Sequence, residues 1–193
     1  MVYLGGNHLE TINYNETPIF NEPYILYIGS REKYKNFRIL IEALNKIQTK
    51  GISVVCFGGE KISKKEISEN KSNIKINQIY GNDLTLLNLI KNAECFVNTS
   101  IYEGFSIPNL EAMMNDCPII CSDIPVFREI CGVAASYFDE KNSEELAYKI
   151  DKLINSKDIR YNLIKNGNLR SKKFNWKACA KSTLEIYQNV LDK

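Results

Sequence analysis

From Pro23 onward the chain alternates between two hydrophobic rhythms. "YILYIG" (24–29) is a continuous apolar run closed by glycine, the pattern of a strand buried on both faces of a sheet. Behind it, "NFRILIEALNKIQTKG" carries Phe37, Leu40, Ile41, Leu44 and Ile47 at helical spacing, with Gly51 as the C-terminal stop. The exchange then repeats. "ISVVCFGG" (52–59), "IKINQI" (74–79), "ECFVNTS" (94–100), "PIICSD" (118–123) and "ASYF" read as further strands. Between them lie the polar, lysine-rich "EKISKKEISENKSN", then a helix capped by Asn82 or Asp83 and carrying Leu84, Leu87, Ile90 and Ala93. A helix over Ile107–Met114 follows, and then the short "VFREICG", stopped by Gly132. From a cap at Asn142 or Ser143 the chain is helical to its end, through "EELAYKIDKLI", "DIRYNLIKNGNLRSKK" and "WKACAKSTLEIYQNVLDK". Residues 1–22 show little period and read as a linker or arm, with room for one short edge strand.

Apolar strands exchanged with amphipathic helices predict βαβ units. The fold class is therefore α/β: a doubly wound, Rossmann-like parallel sheet over 23–193 with a helical C-terminal tail. In such sheets ligands bind beyond the carboxyl ends of the strands, near helix N-termini. Three segments fall there: the turn after the first strand, the turn after "IKINQI", and "SIYEGFSIPNLEAMMNDC".

Composition narrows the chemistry. The 193 residues suffice for one domain with appendages, and 44% apolar with 25% charged residues is the balance of a soluble globular chain. A net charge of +2 is too small to point to nucleic acid or a membrane surface. No apolar run approaches the roughly 20 residues that span a bilayer. Met1–Glu10 lacks the basic start and apolar core of a leader, so a cytoplasmic protein is expected. Cys56, Cys95, Cys117, Cys121, Cys131 and Cys179 form no C-x-x-C pair and read as free thiols in a reducing compartment. His8, the only histidine, lies in the polar N-terminal stretch. That placement argues against a zinc site and against a histidine general base.

The remaining candidates are charged residues above the sheet. In "GSREKYKN", Gly29 permits a sharp turn, and Arg31 and Lys35 can project beside a helix N-terminus, where two cations suit a diphosphate. On spacing alone they are equally ordinary solvated charges. The turn is neither G-x-G-x-x-G nor a Walker loop. Glu103 and Glu111 flank Gly104, Phe105, Ser106, Ile107 and Pro108. Pro108 suits a first helical turn and Ser106 an N-cap. Glu103 then lies in the loop, Glu111 about one turn inside the helix, and the backbone N–H groups of Phe105, Ser106 and Ile107 face the gap between them. Two hydroxyl-binding carboxylates around an anion-binding helix end fit a nucleotide sugar. The alternative on spacing alone is a surface helix residue and a loop residue.

"YEGFSIPNLEAM" resembles the E-x7-E motif of family-four glycosyltransferases, usually met as E-G-F-G-x-P-x-x-E-A. "YILYIGSREKYKNFRILIEAL", "IYGNDLTLLNLIKNAECFVNTS", "CSDIPVFREICGVAASYFD" and "FNWKACAKSTLEIYQNVL" are similar to their neighbouring segments, in the same order. The resemblance implies one half of a GT-B enzyme, the donor-binding C-terminal domain, with 171–193 as its crossover helix. It implies that Glu111 holds the ribose hydroxyls and that Glu103 contacts the donor sugar. Phe105, Ser106 and Ile107 supply backbone donors next to Gly29 and Gly104, Arg31 and Lys35 neutralise the diphosphate, and Gln78 and Ile79 lie against the base. Such enzymes transfer a sugar from a UDP- or GDP-linked donor with retention and need no metal or other cofactor. The chain has no D-x-D for a metal-bound diphosphate. Ser106 in place of the second motif Gly, and Ile124–Pro125 where many members carry Gly-Gly, depart from the pattern.

Length departs as well, because a full member carries an N-terminal acceptor domain. "MVYLGGNHLETI" resembles the interdomain linker, so the chain is expected to be an excised domain or a split subunit, poorly active alone. The saccharide or lipid-linked acceptor would be bound through the missing domain, with the full enzyme at the inner face of the membrane. Phe174, Trp176 and Tyr187 either face that domain or cover the sheet. "YKNF" and "DIPVFRE" resemble bacterial enzymes that assemble surface polysaccharide, often from GDP-mannose. Two other readings stay open: a non-catalytic nucleotide-sugar-binding or assembly module, and a GT-B sugar-nucleotide epimerase.

Overall fold

A computed structural model describes residues 2–14 and 17–191. Six strands, β1 (Tyr24–Ile28), β2 (Ser53–Phe57), β3 (Ile76–Ile79), β4 (Cys95–Asn98), β5 (Ile119–Ser122) and β6 (Ala135–Phe138), form one sheet. Its order is β3-β2-β1-β4-β5-β6 and every pairing is parallel. This is the Rossmann-like α/β fold that the alternation of runs predicts. The order reverses between β1 and β4, so the ends of these two strands open the crevice where such sheets bind ligands.

The period of two sorts each strand between two cores. Tyr24, Leu26, Val55, Phe96, Ile119 and Cys121 face one side. Ile25, Tyr27, Val54, Cys56, Cys95, Val97 and Ile120 face the other. On the first side pack α3 (Asp83–Asn92), α4 (Ile107–Met114) and α5 (Pro125–Cys131). On the second pack α1 (Phe37–Leu44) and α6 (Ser143–Ile154). The caps are local: Asn82 Oδ1 accepts from Thr85 N–H at the start of α3, and Asn142 Oδ1 from Glu145 N–H at the start of α6.

Three elements differ from the sequence expectation. α1 stops at Leu44 instead of running on toward Gly51. Asn45 ends it because its side chain accepts from Lys71 and Ser72 N–H and donates to Glu69 O, which ties the turn to the next βα connection. The polar lysine-rich stretch contains α2 (Lys64–Glu69), started by a reciprocal capping box between Ser63 and Glu66. The arm carries a 3₁₀ turn at Asn7–Thr11 instead of an edge strand.

That arm packs closely against the domain. Leu9 is buried, and a Cβ on Gly6 would stand 2.6 Å from Leu110 Cβ of α4. A Cβ on Gly5 would stand 2.8 Å from the Asn175 carbonyl carbon, just ahead of α8 (Trp176–Leu191). Asn7 Oδ1 accepts from Trp176 N–H at 3.1 Å. α7 (Lys157–Ser171) precedes this junction and packs on α4 through Gly167, whose missing Cβ admits Met113. Phe174 is buried, whereas Trp176 is partly exposed and Tyr187 is exposed, so the terminal aromatics divide between covering the core and facing water. Asp192 and Lys193 lie outside the described residues. No helix among them is long and apolar enough to cross a membrane.

Candidate functional site

The crevice between β1 and β4 is built from two loops that lock together. β1 is followed by Gly29, whose φ of 108° is available to glycine at little cost, and a Cβ there would meet nothing within 4 Å. The chain passes Arg31 and a 3₁₀ turn, Lys33–Lys35, and enters α1 through Asn36 in the left-handed region. Asn36 holds this shape by donating to Glu140 O. The loop after β4 clamps that turn: Thr99 Oγ1 donates to Lys35 O at 2.7 Å and Ile101 N–H to Tyr34 O at 2.8 Å.

The clamp brings Lys35 and Glu103 together, with Nζ 2.5 Å from Oε1. Both side chains are largely shielded, at 18% and 15% exposure, so the pair is a partly desolvated one. Ser100 Oγ donates to the same carboxylate oxygen. Beneath it, Ser100 Oγ also lies 2.9 Å from Asn98 Oδ1. Asn98 Nδ2 donates to Ser106 Oγ at 3.2 Å and to Asn109 Oδ1 at 3.0 Å. This buried chain of amides and hydroxyls fixes the loop from below.

Ser106 stands at the start of α4, as its spacing predicts, but it does not cap the helix. Its φ of 87° and ψ of 75° are left-handed, and its hydroxyl is turned to Asn98. A glycine would take this conformation without strain. The first-turn N–H groups of α4, that of Ile107 among them, have no intrahelical partner, as at any helix start. Gly104 is exposed, with open space where a Cβ would be. Phe105 lies against Phe174 and Tyr3, with ring centroids 6.0 Å and 6.3 Å away. Tyr3 OH donates to Glu129 Oε1 at 2.9 Å, so the arm and the segment before α8 together brace the loop.

Glu111, inside α4, is buried at 4% exposure. His8 Nε2 lies 2.9 Å from its Oε1. Burial pushes the Glu111 carboxyl above the usual range, His8 pulls it down, and Asp83 at the start of α3 pushes it up, with a net rise. The polar N-terminal stretch in which His8 stands gives no sign of this contact, because sequence separation hides it.

Two expectations change. Arg31 is buried instead of projecting freely: its side chain is 4% exposed, Nε donates to Glu66 Oε1 of α2 at 3.0 Å, and its guanidinium lies 5.6 Å from the Phe37 ring centroid. Burial works to raise the Glu66 carboxyl, but its bonds with Ser63 and the Arg31 cation outweigh that and hold it below the usual range. Arg31 Nη1 is buried without a partner. The acceptor that holds Arg31 is the capping glutamate of α2. Gln78 likewise spends its amide on backbone: Oε1 accepts from Ile62 N–H, and Nε2 donates to Gly58 O and Glu60 O. Its side chain shapes the β2–α2 loop. Ile79 ends β3 and is half-buried against the α3 side. Among the described residues no three His, Cys, Asp or Glu side chains are grouped to hold a metal ion. All six cysteines are free, and five of them are buried.

The "DIPVFRE" departure has its own geometry. Arg128 closes a fork on Asp123, with both contacts at 2.6 Å, and lies 3.8 Å from the Tyr137 ring centroid. The fork holds the Asp123 carboxyl below its usual range. These contacts brace the β5–α5 turn and leave the crevice residues untouched.

With this geometry in place, the chain can be compared with known proteins. The family profile described as glycosyl transferases group 1 matches residues 12–170. The O-antigen chain mannosyltransferase B of Escherichia coli is 28% identical over 173 residues, covering 86% of this chain and 45% of that protein. An uncharacterized glycosyltransferase of Methanocaldococcus jannaschii, MJ1178, is 28% identical along 100% of this chain and 54% of its own. The chain thus spans about half the length of the curated relatives it matches. Among solved structures, a glycosyltransferase from Rickettsia africae superposes with a TM-score of 0.81 at 21% identity, covering 98% of this chain and 56% of that one. At that identity the likeness speaks to the fold, which is the GT-B half that the E-x7-E resemblance implies. The matched span contains β1 through α6, nearly all of α7 and both carboxylates of the motif, and the chain belongs to the glycosyl transferases group 1 family.

Proposed function

We propose that this chain is the donor-binding half of a retaining glycosyltransferase that moves a sugar from a UDP- or GDP-linked donor to an acceptor held by a further domain. The observation that carries the reading is the placement of Lys35, Glu103 and Glu111 around the start of α4, at the reversal point of the sheet. Glu111, fixed on the helix, accepts from the ribose hydroxyls. The diphosphate lies over Gly29, where the backbone leaves room, and meets the N–H groups of Ser106 and Ile107. Lys35 has three donors, so it can keep Glu103 and still face a phosphate oxygen. As the bond to the sugar breaks, negative charge builds on the leaving diphosphate, and the fixed ammonium and helix start stabilise it without a metal. Glu103, braced by Lys35 and Ser100, accepts from a sugar hydroxyl and orients the anomeric carbon.

Arg31 enters this scheme as a buried cation whose free Nη1 adds to the positive field under the diphosphate. The mannosyltransferase relative of E. coli makes surface polysaccharide assembly, with GDP-mannose as donor, the first substrate class to test. Calorimetric titration with UDP, GDP and ADP, without metal and then with magnesium, checks the reading. The expected result is metal-independent binding of one nucleotide that is lost in Glu111→Ala. Binding that survives this substitution unchanged would remove the ribose role. Transfer of sugar by the chain alone to a defined acceptor would contradict the need for a further domain.

A further inference from the structure

The arm contributes a residue that the family motif does not contain. His8 sits on a 3₁₀ turn held from both sides by Leu9 in the α3–α4 core and by Asn7 on the Trp176 N–H, so the turn that carries it is anchored. It meets Glu111 at 2.9 Å while keeping 35% of its own surface exposed. A hydrogen bond from a half-open residue to a buried acid restrains the acid's rotation. We propose that His8 is a positioning residue for nucleotide binding: its Nε2–H holds Glu111 Oε1, so that the carboxylate is turned to accept the two ribose hydroxyls.

The chemistry supports this role. A carboxylate has about four lone-pair positions, so one donor from His8 leaves acceptors for both hydroxyls. A buried acid without a partner favours its neutral form, which offers a hydroxyl donor where the ribose needs acceptors. Asp83 is the other charged group that bears on Glu111, and it works in the same unfavourable direction. His8 opposes both effects. It does not touch the ligand in this scheme but acts through Glu111, and the inference rests on the ribose role proposed above.

The test compares GDP and UDP with their 2′,3′-dideoxy analogues in the full chain, in His8→Ala and in His8→Gln, by calorimetry. The quantity read is the ratio of the two dissociation constants, which a partly unfolded sample does not change because both ligands see the same folded fraction. The native chain is expected to prefer the ribonucleotide by about thirtyfold, a value that hydrogen bonds to a charged acceptor can supply. His8→Ala should shrink the preference to about threefold, and His8→Gln, which keeps an N–H donor, should restore most of it. A His8→Ala chain that discriminates as well as the native one overturns the proposal while leaving the ribose role standing. A native chain without discrimination, or without binding of either nucleotide, removes the ribose role and this proposal with it.

Discussion

The two carboxylates of the motif sit at one helix start but are held in opposite ways. Glu103 is in a loop, and its partners, Lys35 and Ser100, come from the two segments that follow β1 and β4. Glu111 is on a rigid helix, is more deeply buried, and takes its partner from the arm. The first acid is paired with a cation that the sheet topology delivers. The second sits where burial raises its carboxyl and where only a residue from outside the βαβ core opposes the rise. Under the proposed function, the loop acid serves contacts that change as a sugar reacts, and the helix acid a contact that stays constant.

The strongest test of this contrast is charge removal at Glu111. Glu111→Gln should weaken nucleotide binding at least about a hundredfold, because an amide cannot accept both ribose hydroxyls equally well. The same substitution should stabilise the fold at neutral pH. A raised carboxyl holds its proton more tightly folded than unfolded, so Glu111 costs stability as pH rises between its ordinary and its raised value, and the cost persists above that window. Thermal unfolding from pH 4 to pH 8 should show the variant gaining on the native chain with rising pH. A variant that loses ground instead would mean that His8 more than repays the burial.

Next in size is Lys35→Met. It should weaken a nucleoside diphosphate by roughly thirtyfold and the matching nucleoside by less than about threefold, since only the former carries the charge that the ammonium meets. It also strands Glu103 half-buried without its cation, so stability should fall by about 1–2 kcal/mol in urea. Glu66→Ala is smaller for binding but clear for stability. It removes the capping box of α2 and the partner of buried Arg31 together, and should cost about 2 kcal/mol. If nucleotide affinity also falls more than about tenfold, Arg31 is held in place for the ligand by Glu66. Ser106→Gly is the smallest. Relief of left-handed strain, about 1 kcal/mol, is set against the lost bond to Asn98 of similar size, so denaturant unfolding should shift by less than about 1 kcal/mol.

The same contrast separates what was legible in the sequence from what was not. Runs such as "YILYIG" and "ECFVNTS" define their strands because burial on both faces leaves no polar position, and Asn82 and Asn142 mark helix starts by a bond reaching only three residues. α2 had the same kind of signal in Ser63 and Glu66, obscured by the lysines around it. The Lys35–Glu103 pair follows from where the motifs fall on a doubly wound sheet. His8 on Glu111, Glu66 on Arg31 and the Gln78 amide on the β2–α2 loop depend on packing between segments far apart in sequence, and no periodicity encodes them. The site's skeleton was readable; the partners that tune its charges were not.

Gly5 and Gly6 carry a practical consequence. Because Gly6 lies on the Leu110 flank and Tyr3 on the ring of Phe174, the arm is a lid over apolar surface that the rest of the domain leaves uncovered. A shortened chain beginning after residue 11 would expose that surface to water and should come out of expression as aggregate. A boundary or tag junction placed ahead of Val2 is the choice that preserves a workable sample.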